Sequence, residues 1–162
     1  MPTTGDLKTG AGTEDNPDTG YRSRYSKENE IASAGYYSVL LDDYKIKVEA
    51  TATTHCGIYR FTFPENPRSR VQIDLARRVG GTSTFQSIKV IDDHTIAGRM
   101  ECPPEGGGWG NGDGNADYTV YFYAQFSRPL KDYGFWSAEI PDDMARKREN
   151  VTSKEYQALV AN

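Results

Sequence analysis

The sequence predicts an all-β protein, an antiparallel β-sandwich, and three observations carry that reading. Short runs alternate apolar and polar residues with a period of two. Clusters of Gly, Pro, Asn and Asp separate those runs at hairpin distances. Helical spacing is confined to the last ten residues. Strands joined by tight turns pair antiparallel, because a parallel pair needs a long crossover.

Residues 1–31 are polar and turn-rich, as in "TGAGTEDNPDTG". "YYSVLL" then leads through the turn "DDYK" into "IKVEATAT", and "CGIYRFTF" repeats the rhythm until Pro64 stops it. "RVQIDLA", "FQSIKVID" and "TIAGRMEC" follow, the last two joined by "DDHT". "YTVYFYAQFS" carries the strongest strand signal, with aromatic and β-branched residues throughout, and "YGFWSAEI" gives one more strand. Expected core positions are Ile46, Val48 and Ala50 on one strand and Ile58, Phe61 and Phe63 on the next. The final "SKEYQALVAN" places Tyr156, Leu159 and Val160 at helical spacing, predicting a short C-terminal helix. It runs out on "VAN" without a capping glycine, so the sandwich is expected to be incomplete and to expose apolar edges or faces.

A chain of 162 residues suits one domain or a large piece of one. Its net charge of -4, without a basic stripe, argues against nucleic acid as a partner. No apolar run is long enough to span a bilayer, and no signal peptide follows Met1. Cys56 and Cys102 lack zinc-site spacing and are expected as half-buried free thiols. His55 and His94 are expected as satisfied edge or surface residues.

Three acidic pairs, Asp42-Asp43, Asp92-Asp93 and Asp142-Asp143, invite a catalytic reading. Glycoside hydrolysis needs one protonated and one ionised carboxyl group on opposite sides of the scissile bond. Neighbours along a strand point to opposite faces and cannot do that. The first two pairs are therefore expected to build hairpin turns. No nucleophile elbow is present.

The stretch "CPPEGGGWGNGDGNAD" is the least ordinary in the chain. Asp113, Asn115 and Asp117 open like an EF-hand, but Tyr118 stands where Gly is required and Ala124 where Glu is required. The following residues also read as strand rather than helix, so an EF-hand is rejected while a looser calcium site stays open. Trp109, flanked by glycines, reads equally as a stacking platform for a pyranose ring or as a cover for the sandwich edge.

A family resemblance rests on Gly20-Tyr21-Arg22-Ser23, Glu28-Asn29-Glu30, Gly35-Tyr36-Tyr37, Leu41-Asp42-Asp43-Tyr44 and Arg60-Phe61-Thr62-Phe63-Pro64. With Ile73-Asp74-Leu75, "CPPEGGGWGNGDG" and "YTVYFYAQFSRP", these resemble, in order, the glycoside hydrolase family 92 enzymes over essentially the whole chain. The resemblance implies a calcium-dependent exo-α-mannosidase, often α-1,2-specific, that inverts the anomeric centre. It implies a galactose-mutarotase-like N-terminal β-sandwich followed by an (α/α)6 barrel. Residues 1–162 would then be part of the sandwich, with the catalytic barrel absent from this chain, and "MPTTGDL" resembles an interior passage.

In that family the general acid, the general base and most calcium ligands come from the barrel, and calcium helps bind and distort the terminal mannose. The segment is thus expected to hold no catalytic residue and no metal ligand, to be inactive alone, and to serve as scaffold and pocket wall. Trp109 is its one substrate-binding candidate. Lys27 stands where many relatives have His, and Ala34 where they have Pro, so no imidazole role transfers to that spot. Glu28 and Glu30 are expected in structural ion pairs with Arg22 or Arg24. Implied partners are a mannose-containing glycan and the barrel of the same polypeptide, in a bacterial periplasmic, secreted or cell-surface setting. There the "NVT" at Asn150 is a coincidental sequon. Two other readings stay open: a stand-alone carbohydrate-binding module using Trp109, and a structural module with calcium in the glycine loop.

Overall fold

The structure, a computed structural model, describes residues 1–13, 15–78, 81–104, 117–135 and 158–161. It is all-β and antiparallel, the expected fold class, and divides into two compact units, residues 1–71 and 72–162.

The first unit begins with β1 (Pro2–Thr3), which pairs with the start of β6 (Arg70–Asp74). Between them a meander of four strands runs in sequence order: β2 (Glu30–Ser33), β3 (Tyr36–Leu41), β4 (Ile46–Ala52) and β5 (Gly57–Thr62). Asp42–Lys45 make the β3–β4 turn, where Lys45 takes the left-handed conformation with φ 55°. Alternation then sorts the side chains. Val39 faces Val48, which faces Phe61, and Leu41 faces Ile46, so one side of the sheet is apolar. Val39, Leu41 and Ile46 are its buried centre, with Val48, Phe61, Phe63 and Tyr37 packed against them.

Ile58 departs from expectation. It lies three positions before Phe61, so the pleat turns it to the opposite face, and it is 63% exposed. Tyr59 keeps the core parity yet is also exposed, because β5 is the last strand of its sheet among the described residues.

In the second unit β7 (Arg77–Arg78) and β8 (Gly81–Thr82) form a small hairpin. A three-stranded sheet follows, with β10 (Thr95–Cys102) between β9 (Phe85–Asp92) and β11 (Tyr118–Gln125). Ile88 and Ile96 are fully buried, and with Leu75 they form the core against Ile73, Val90, Phe122 and Ala124. Gly98 sits between Ile88 and Phe122 in register. A Cβ there would meet the Ser87 carbonyl oxygen and come within 2.6 Å of the Phe122 ring, so only glycine fits. Beneath the sheet, Ser83 Oγ donates to the Leu75 carbonyl at 2.5 Å and Gln86 Nε2 donates to the Ser83 carbonyl at 2.9 Å. These bonds satisfy polar groups that burial would otherwise penalise.

The expected C-terminal helix is not formed where the structure describes it. Ala158–Ala161 are a strand, β13, paired with β12 (Tyr133–Phe135), with Val160 opposite Gly134. A short apolar run with a β-branched residue fits either element, and a waiting strand decides it by accepting the backbone hydrogen bonds. Tyr156 lies outside the described residues. Both thiols are free, as expected, but neither is half-buried: Cys56 is exposed between β4 and β5, and Cys102 is completely buried at the end of β10.

Truncating Ile96 to alanine should destabilise the fold by about 2–5 kcal/mol, the cost of an unfilled cavity. Ile58→Ala should stay within about 0.5 kcal/mol, as exposed positions do. Urea denaturation of both variants checks the face assignment, because a large loss at Ile58 would reverse it.

Candidate functional site

The polar N-terminal segment does not hang loose, since Arg24 fastens it to the β3–β4 turn. Its backbone N–H donates to Asp43 Oδ2 at 2.7 Å, its Nη1 to Asp43 Oδ1 at 2.8 Å, and its Nη2 to Asp18 Oδ1 at 2.6 Å. Asp42 N–H returns a bond to the Arg24 carbonyl at 2.9 Å, and Asp43 N–H donates to Ser23 Oγ at 3.1 Å. The Arg24 backbone N–H, followed by its guanidinium, holds the Asp43 carboxyl below its usual range. Hydrogen bonds to Asp18 and then Asp43 raise the Arg24 pKa. Asp42-Asp43 is therefore a turn, as expected, and one of its acids is a loop anchor.

A second knot lies just beyond. Ser26 caps a single 3-10 turn over Lys27–Asn29, which brings Lys27 Nζ to 2.5 Å from Glu30 Oε2. Tyr37 donates its hydroxyl to Glu30 Oε1 at 2.7 Å, and Lys27 lies 5.5 Å from the centre of the Tyr25 ring. Lys27, then Tyr37, pulls the Glu30 pKa down. The expected pairing of Glu28 or Glu30 with Arg22 or Arg24 is thus corrected. The 3-10 turn aims Lys27 at Glu30, and the hairpin turn claims Arg24. Glu28 is exposed and forms no side-chain ion pair among the described residues.

The most concentrated charge cluster was not singled out from the sequence. On the face of the first sheet opposite its core, Glu49 stands in register with Ser38 and Arg60. Arg60 grips it with two bonds, Nε to Oε2 and Nη2 to Oε1, both 2.7 Å. The Tyr36 hydroxyl donates to Oε1 at 2.7 Å, and Lys47 Nζ lies 3.3 Å away. These donors, Arg60 first and Tyr36 next, bring the Glu49 pKa down to about 2. The visible signal was the alternation itself, since Lys47, Glu49 and Arg60 share one parity across two adjacent strands.

Asp92, of the second acidic pair, accepts the His94 backbone N–H at 2.8 Å, which lowers its pKa and shapes the β9–β10 turn. His94 Nδ1 lies 2.8 Å from the Phe126 carbonyl oxygen, a tie between turn and strand end, as expected for a satisfied histidine. His55 is exposed. Trp109, Asp113, Asn115 and Asp142-Asp143 lie outside the described residues; Asp117 is exposed immediately before β11, which is a strand as the EF-hand rejection requires. Among the described residues no three His, Cys, Asp or Glu side chains converge to hold a metal ion.

What this chemistry can do follows from the direction of the shifts. A general acid must keep its proton near neutral pH, which needs a raised carboxyl pKa. Glu30, Asp43, Glu49 and Asp92 are all shifted the other way by donors already in contact. They fasten loops and strands, and none of the four is tuned as a general acid.

The family model for the glycosyl hydrolase family 92 N-terminal domain matches residues 1–161. Two solved structures of the family GH92 alpha-mannosidase BT3965 from Bacteroides thetaiotaomicron, one in complex with mannoimidazole, share 32% identity at a TM-score of 0.78. They align with 99% of this chain but with 21% and 20% of their own, so the chain spans about a fifth of their length. No protein of curated function matches significantly.

The Glu49 cluster sets a pH dependence. Its folded pKa, about 2, lies below the ordinary 4.5, so its stabilisation is complete above the ordinary value and is lost as pH falls through the folded one. Thermal melts taken across that window should show a steeper acid loss for the natural protein than for Glu49→Gln. Identical slopes would show that the Arg60 fork contributes nothing.

Proposed function

The chain belongs to the glycosyl hydrolase family 92 N-terminal domains, and on that premise we propose that it is the scaffold and pocket wall of an inverting exo-α-mannosidase. The parent removes terminal α-linked mannose from glycans, and its catalytic domain lies in the polypeptide beyond these residues. The observation that carries this reading is the match of residues 1–161 to the family's N-terminal domain, over about a fifth of the length of the solved relatives. In keeping with it, Glu30, Asp43 and Glu49 are held ionised by donors in contact with them, so none of these three is poised as the general acid.

Inversion needs an acid on one side of the sugar and a base on the other, about 6.5–9.5 Å apart, so that a water fits between base and anomeric carbon. This domain's part is to hold loops at fixed positions around that reaction. Arg24 clamps the Asp18–Glu30 segment to the β3–β4 turn, and Lys27 with Tyr37 fixes its far end at Glu30. Such rigid support sets the geometry a pocket needs.

The same reading takes calcium as the parent's cofactor, with its ligands mostly outside residues 1–162. The described residues offer it no cluster of donors, and no step assigned to this chain passes through it. A periplasmic, secreted or cell-surface location goes with action on mannose-rich glycans. No helix of the described residues is long and apolar enough to cross a membrane.

An aryl α-mannoside assay tests the division of labour. The full-length protein should turn over and lose most of its rate to a chelator, while residues 1–162 alone should be inert. Turnover by the segment would overturn the assignment of both carboxyl groups to the catalytic domain. In the full-length protein, Glu30→Gln and Glu49→Gln should leave the shape of the pH–rate profile unchanged; disappearance of one limb would make that residue an acid or base.

A further inference from the structure

The three-stranded sheet β9–β10–β11 of the second unit has two unlike faces. One is the aliphatic core around Ile88 and Ile96, both completely buried. On the other, β11 presents Tyr121 and Tyr123, 71% and 63% exposed, two residues apart and therefore on the same side, roughly 6.6 Å from each other along the strand. Register places Tyr121 opposite Arg99 and Tyr123 opposite Ala97. Arg99 is itself held in place, 4.8 Å from the centre of the Phe85 ring and 3.5 Å from Glu101.

Lys89, Glu101 and Thr119 share this face, as on a sheet side turned to water, but the two exposed tyrosines on β11 depart from that pattern. Two large tyrosines beside a pinned arginine and a phenylalanine are instead the composition of a protein interface centre, where Tyr and Arg concentrate binding energy at small cost in side-chain entropy. Arg99 lies 3.5 Å from Glu101 through Nη2 and packs on Phe85, which does not use up its five N–H donors. The face therefore offers ring surface with hydrogen-bond donors beside it, and the footprinting below separates a glycan from a protein domain as its occupant. Three strands of about eight residues cover on the order of 400 Å², enough for one side of an interdomain contact that buries roughly 600 Å² or more in total.

The length of the matched proteins indicates the occupant. It aligns over 99% of its length with proteins of which it spans 21%, so most of such a polypeptide packs outside the residues seen here. We propose that the Tyr121–Tyr123 face of β11 is the docking surface for the catalytic domain of the same polypeptide. This rests on the reading that such a domain exists, and it names the face that meets it.

Hydroxyl-radical footprinting of the full-length natural protein, read by mass spectrometry, tests the assignment without a variant. Tyr121 and Tyr123 should be modified at least an order of magnitude more slowly in the native protein than after unfolding in urea, at any protein concentration and without added glycan. Modification at the unfolded rate overturns the proposal. So does protection that appears only on adding yeast mannan, which would make the face a glycan platform, or protection that grows with protein concentration, which would make it a contact between copies. Aryl α-mannoside turnover by the same preparation tests the hydrolase reading separately, so the two can fail independently.

Discussion

The two-residue alternation of a pleated strand governs this molecule more than any single contact. In the first sheet it sends Val39, Val48 and Phe61 to one side and Glu49 and Arg60 to the other. In the second it sends Ile88 and Ile96 inward while Arg99 and Tyr121 go outward. A slip of one residue would bury a carboxylate among leucines, which costs several kcal/mol unless the charge is paired. Register is therefore doubly enforced, by apolar residues that must be covered and by charged ones that must be matched.

The charges then serve geometry. Glu49 sits nearly buried, 8% exposed, yet its oxygens meet Arg60, Tyr36 and Lys47, so its desolvation is offset by several donors at once. Arg24 links a loop to a turn about twenty positions on, and Glu30 links a short 3-10 turn to a neighbouring strand. Acids arranged in this way lose the ability to hold a proton near neutral pH.

Family membership and local chemistry bear on different levels of the molecule. The match to glycosyl hydrolase family 92 N-terminal domains concerns the order of motifs along the chain. The local chemistry lies in the partners that Glu30, Asp43 and Glu49 have taken. β11 in addition exposes Tyr121 and Tyr123 on one face.

Strand positions, hairpin turns and the all-β class were legible in the sequence because period two and turn residues act locally, as "IKVEATA" and Asp42-Asp43 show. The family was legible because its motifs run in order through the chain. Other features waited for tertiary structure. Which acid takes which cation depends on bringing Arg24 to Asp43 and Lys47 beside Arg60, separations no window of sequence spans. Ala158–Ala161 became a strand because β12 was there to accept its hydrogen bonds, while the helical spacing of its side chains had no partner to reward it. The exposure of Tyr121 and Tyr123 is of the same kind, since composition marks them as strand residues and only the paired sheet decides which side they face.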